Sequence, residues 1–173
     1  MSRQIEALVL DDDVWSLRLI KGLLQECFPE MKVHTREQPD PEGDFDIYFV
    51  DNDFNGHRVL PELARELRRK QPDALIIAFS ATLDARMLKE LINAGCDGAC
   101  DKSVYGDLAE SMEIVRAFVE QTQAGGRRRE GHPVHRAVPA ISAETARCSS
   151  RSRRRFHSRS RSRTVPIAPD DVL

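Results

Sequence analysis

Three runs of unbroken apolar character, "ALVL" at 7–10, "IYFV" at 47–50 and "LIIAF" at 75–79, alternate with stretches whose apolar residues recur at helical spacing. A strand that is apolar at every position must be covered on both faces, and a parallel sheet sandwiched between helices is the arrangement that does this. "VWSLRLIKGLLQECF" places Leu17, Ile20, Leu24 and Cys27 on one helical face, with Phe28 a turn beyond Leu24. Val59, Leu60, Leu63 and Leu67 do the same in "HRVLPELARELRRK", and Leu108, Met112, Val115 and Val119 in "YGDLAESMEIVRAFVEQT". "LDARMLKELINAG" reads as a helix stopped by Gly95, while "MKVHTRE" and "DGACDK" read as two further, shorter strands. Between the second and third strands, "EQPDPEGD" carries two prolines and a glycine, so the helix due there is reduced or absent. Right-handed crossovers then give an α/β fold with a doubly wound five-stranded parallel sheet.

Charge divides the chain in two. Residues 1–123 hold 14 Lys and Arg against 24 Asp and Glu, whereas residues 124–173 hold 12 Arg against 4 acids. The second part includes the Arg/Ser run "CSSRSRRRFHSRSRSR", which has too few apolar residues to build a core. The expectation is a folded domain over 1–123 and a low-complexity, disordered tail over 124–173, whose arginines could bind nucleic acid through its phosphates. The N-terminus has charges where a signal peptide has its apolar segment, and no run approaches membrane-spanning length, which suggests a cytoplasmic protein. Cys27, Cys96, Cys100 and Cys148 lack paired CxxC spacing, which argues against a zinc site or disulfide framework and for reduced thiols.

Ligands of open parallel sheets bind at the carboxyl ends of the strands, and here those ends are polar. Asp11, Asp12 and Asp13 follow the first strand, Asp51 closes the third, Ser80 the fourth and Lys102 the fifth. Carboxylates about 4 Å apart repel by roughly 4 kcal/mol per pair at an effective dielectric near 20, so the cluster calls for a proton or a cation. An oxygen-rich site with room for water and phosphate suits magnesium. Ser80 could donate a hydrogen bond, and Lys102 supply positive charge, to a phosphoryl group. Asp13 reads as a helix N-cap, and Trp15 as packing over the first helical turn rather than as a partner anchor.

The ordered set "LVLDDDVWSLRLIKGLL", "FDIYFVD", "IIAFSA" and "AGCDGACDK" resembles the receiver domain of bacterial two-component response regulators over nearly all of residues 4–121. The resemblance implies the flavodoxin-like receiver fold, with Asp11 and Asp12 as the magnesium-binding pair and Asp51 as phosphoacceptor. Ser80 and Lys102 take the family's hydroxyl and lysine positions, and the backbone carbonyl of Asp53 its remaining metal ligand. It further implies a stand-alone receiver that takes its phosphoryl group from a sensor histidine kinase or phosphotransfer protein and signals through protein contacts, rather than an enzyme. Three departures stand out: Ser103 replaces the usual proline after Lys102, Ala99 replaces an aromatic, and the "NDFNGHRV" loop is short. Two alternatives are a haloacid-dehalogenase-like phosphatase, with Asp51 as nucleophile and Asp53 as acid and base, and an unphosphorylated docking module with a nucleic-acid-binding tail.

Overall fold

Each apolar run becomes a strand. In the computed structural model, which describes residues 3–124, β1 (Glu6–Leu10), β2 (Lys32–Arg36), β3 (Ile47–Asp51), β6 (Leu75–Ser80) and β7 (Gly98–Asp101) form one parallel sheet in the order β2-β1-β3-β6-β7. A separate two-stranded ladder, β4 (Asp53–Phe54) and β5 (His57–Arg58), follows β3 directly. The helices are α1 (Val14–Cys27), α2 (Leu60–Lys70), α3 (Ala85–Ala94) and α4 (Tyr105–Gln123).

Side-chain alternation sorts the two faces of the sheet. Ala7, Val9, Ile47, Phe49, Leu75, Ile77 and Phe79 meet Leu17, Ile20 and Leu24 of α1, together with Leu108, Met112, Val115 and Phe118 of α4. Leu8, Leu10, Tyr48, Val50, Ile76 and Ala78 meet Leu60, Leu63, Ala64 and Leu67 of α2 and Leu91 and Ala94 of α3. Phe118, not Val119, is the buried residue at the end of α4; Val119 is only half-covered.

No helix lies between β2 and β3, as the prolines and glycine there require. Phe45 from that loop packs on the second face, and the Tyr48 hydroxyl, with one proton to donate, lies 2.9 Å from Gln71 Oε1 and 3.1 Å from Gly43 O, tying loop to α2. Helix ends follow their local chemistry. Asp13 caps α1 by accepting from the Trp15 and Ser16 N–H groups, each at 3.1 Å. Asp84 caps α3 through Met87 N at 2.7 Å, and Gly95 ends α3 at φ 107°, in the left-handed region that glycine enters without strain. Behind Gly95, the Arg68 guanidinium donates to Gly95 O, Pro72 O, Ala74 O and Asp97 Oδ2, pinning the end of α2 to the start of β6 and the turn into β7.

Two expectations need correction. Trp15 is 74% exposed rather than packed on the first turn, and the Arg18 guanidinium lies 5.3 Å from its ring centroid. Cys96 and Cys100 are free and buried and Cys27 is half-buried at the end of α1, while Cys148 lies outside the described residues. The segment after Asp51 is a β-hairpin rather than a plain loop. Asn55 and Gly56 at its tip have φ 51° and 78°, the two consecutive positive values of a type I′ turn, which Asn-Gly favours above other pairs. The basic tail proposed for 124–173 lies, beyond Ala124, outside the described residues. No helix among the described residues is long and apolar enough to cross a membrane.

Candidate phosphoryl and metal site

The strand order reverses about β1: β2 pairs on one side of it and β3 on the other. Such a switch point opens a crevice at the carboxyl ends of the two central strands. Asp11 and Asp51 emerge there with the same side-chain parity, so their carboxylates converge. One ligand atom from each of Asp11, Asp12 and Asp51 falls within 4.8 Å of the others.

Lys102 stands between two of them. It follows β7, its N–H donates to Ser80 O at 2.7 Å, and its Nζ lies 2.6 Å from Asp11 Oδ2 and 3.0 Å from Asp51 Oδ2. Burial works against the ammonium charge, but the hydrogen bond that Lys102 donates to Asp11 and the charges of both acids outweigh it, holding the Lys102 pKa above its ordinary value. Asp51 is 6% exposed, and burial pushes its carboxyl up to about 6. The negative charge of Asp11 adds to that rise; Lys102 and the Asp53 N–H oppose it.

Local hydrogen bonds set the remaining groups. The Asp13 N–H donates to Asp11 Oδ1 at 2.9 Å, and the Asn55 N–H to Asp12 Oδ2 at 2.7 Å. Asp53 pairs opposite Arg58, between the residue pairs 52/59 and 54/57. The Val59 N–H bonds Asn52 O at 3.1 Å, and bonding alternates along an antiparallel ladder. The main-chain groups of Asp53 therefore point out of the hairpin, its N–H to Asp51 and its carbonyl to the same side. Ser80 is buried, but its hydroxyl donates to Thr82 O at 2.8 Å rather than to Asp51.

Asn52 was not anticipated. It is fully buried; its Nδ2 donates to Asp53 Oδ2 at 3.1 Å and contacts Met87 Sδ at 3.6 Å, while its Oδ1 has no hydrogen-bond partner. Its sequence signal was a polar residue between two acids, which does not distinguish a buried amide from a solvated one. Asn55 was also missed, although Asn-Gly is itself a hairpin signal. Where proline was expected after Lys102, Asp101 does the fixing: its Oδ1 accepts from the Ser103 N–H at 2.8 Å and from the Ser103 hydroxyl at 2.5 Å. Ala99, half-buried on β7, contributes only a methyl group at the position of the missing aromatic.

The donor set fits a magnesium ion: three converging carboxylates and an outward-facing carbonyl are hard oxygen ligands, and a single lysine does not neutralise them.

No protein-family model matches the sequence, and no curated protein matches it. Solved structures do. The BeF3-activated DrrB receiver domain is 20% identical with a TM-score of 0.60, covering 68% of this chain and 99% of that one. A CheY-like response regulator receiver domain protein from Methanospirillum hungatei is 18% identical with a TM-score of 0.60, covering 72% and 100%. The chemotaxis response regulator CheY4 of Vibrio cholerae is 16% identical with a TM-score of 0.55, covering 65% and 99%. Fold and strand order define a flavodoxin-like α/β protein. Within that class, the chain has the fold of response regulator receiver domains.

Proposed function

We propose that this receiver-fold chain is a cytoplasmic phosphoacceptor of a two-component phosphorelay, taking a phosphoryl group on Asp51 from a histidine kinase or phosphotransfer protein. The observation that carries this reading is the Lys102 ammonium 2.6 Å from Asp11 and 3.0 Å from Asp51, beside the convergence of Asp11, Asp12 and Asp51. An Asp51 carboxylate oxygen attacks the phosphorus of a phosphohistidine. The P–N bond breaks with its electron pair leaving on the imidazole, and a P–O bond forms to give an aspartyl phosphate. Attack requires the ionised carboxylate, which a carboxyl at about 6 supplies at neutral pH.

Lys102 holds positive charge where phosphoryl oxygens arrive, and because it rests on two acids it needs little reorganisation. Ser80 can reach the phosphoryl group by exchanging its bond to Thr82 O. Asp11, Asp12, Asp51 and the Asp53 carbonyl would hold magnesium, which supplies charge neutralisation for the incoming phosphoryl group. The chain acts as an acceptor and relay rather than a turnover enzyme. In the phosphatase alternative Asp53 would be the general acid, but its carboxylate accepts from buried Asn52. Output partners would meet the face of α3, β7 and α4, where Leu88, Ile92 and Val104 are exposed.

Intact mass of the full chain after incubation with magnesium and acetyl phosphate or phosphoramidate tests the reading. One phosphoryl adduct that requires magnesium and disappears in Asp51→Asn is expected; an adduct that survives the substitution would overturn it.

A further inference from the structure

The three clustered acids are held by different groups. Asp11 is held by Lys102 and the Asp13 N–H, and Asp51 by Lys102 and the Asp53 N–H. Asp12, the most exposed of the three, meets the tip of the β4–β5 hairpin, where its Oδ2 accepts from the Asn55 N–H at 2.7 Å. That amide is aimed by the turn: Asn55 at φ 51° and Gly56 at φ 78° reverse the chain in two residues and point the N–H back across the site. The hairpin is anchored at its root. Phe54 is buried in the second core, the Val59 N–H bonds Asn52 O at 3.1 Å, and Arg58 pairs with Glu90 of α3 at 3.0 Å.

We propose that the main-chain N–H of Asn55 is a positioning group for the metal site, fixing Asp12 with Oδ2 engaged and Oδ1 left for the cation. The proposal rests on reading the acids as a magnesium site. A hydrogen bond from an amide to a ligating carboxylate is charge-assisted and sets the orientation of the ligand. Loss of such an outer-sphere partner typically lowers metal affinity between ten- and a hundred-fold. The Asn55 side chain has no part in this: what matters is its amide and the left-handed backbone at residues 55 and 56.

The backbone dependence supplies the test. A Cβ on Gly56 would meet nothing within 4 Å, so a substitution there acts through φ alone. Gly56→Val and Asn55→Val each place a β-branched residue where φ is positive, which disfavours the turn. Asn55→Gly and Gly56→Asn keep both the amide and access to left-handed φ. Magnesium titrations of the full chain by calorimetry should show affinity about ten-fold weaker in both valine variants and near wild type in the other two. Melting temperatures, measured in parallel, show that each variant is folded. Four variants that all bind like wild type would overturn the positioning role while leaving the magnesium site standing. Equal loss in Asn55→Gly and Asn55→Val would also overturn it, assigning the effect to the side chain. Wild type that fails to bind magnesium would overturn both the inference and the reading beneath it.

Discussion

Replacing Asp51 by asparagine should stabilise the protein in the absence of metal, and by an amount that depends on pH. The Asp51 carboxyl titrates at about 6 in the folded chain against 3.8 for an unperturbed aspartate, with burial as the main cause. The native state therefore keeps a proton that the unfolded chain releases above about pH 4. Wild-type stability falls as pH rises from about 4 to about 6 and is level beyond. A difference of about two pH units, at about 1.4 kcal/mol each, makes the ionised carboxylate cost roughly 3 kcal/mol at pH 8. Asparagine resembles the neutral acid in shape and can still accept from Lys102. Asp51→Asn should thus gain about 3 kcal/mol at pH 8 and roughly half that at pH 5. Urea unfolding followed by circular dichroism, with a chelator present, measures both values. A variant no more stable than wild type at pH 8, or a gain that does not change with pH, would refute the reasoning.

Removing Lys102 takes away the charge that opposes burial at Asp51, so Lys102→Met should move the Asp51 carboxyl above about 6; NMR titration of the carboxyl carbon checks the direction. Arg68→Met deletes the guanidinium that binds three carbonyls and Asp97 and should cost about 2 kcal/mol or more in urea unfolding while leaving magnesium affinity unchanged. Phe49→Ala, in the central strand and 1% exposed, should cost about 3–5 kcal/mol by the same assay.

The fold was legible because continuous apolar strands admit few arrangements. "IYFV" and "LIIAF" needed cover on both faces, the loop prolines excluded one helix, and the acids marked the ligand end of the sheet. The convergence of Asp11, Asp12, Asp51 and Lys102 was equally legible, since they sit at strand ends brought together by the strand order. Orientation was not legible. Ser80 lies at the expected strand end, yet its hydroxyl turns to Thr82 O, a choice made by the next loop rather than by the strand. Trp15 projects into solvent because the neighbouring faces are already filled by Leu17 and Ile20, and Arg18 covers its ring from the same helix. The hairpin was encoded by Asn55-Gly56, but its reach to Asp12 depends on tertiary placement.

The proposed function makes Asp51 the residue that would carry the phosphoryl group. Borohydride reduces an acyl phosphate to the alcohol, so treating the phosphorylated chain and mapping its peptides by mass spectrometry reads the acceptor directly. Homoserine at position 51, formed only when magnesium accompanied the donor, is the predicted result. Homoserine at position 53, 11 or 12 with position 51 unchanged would contradict it.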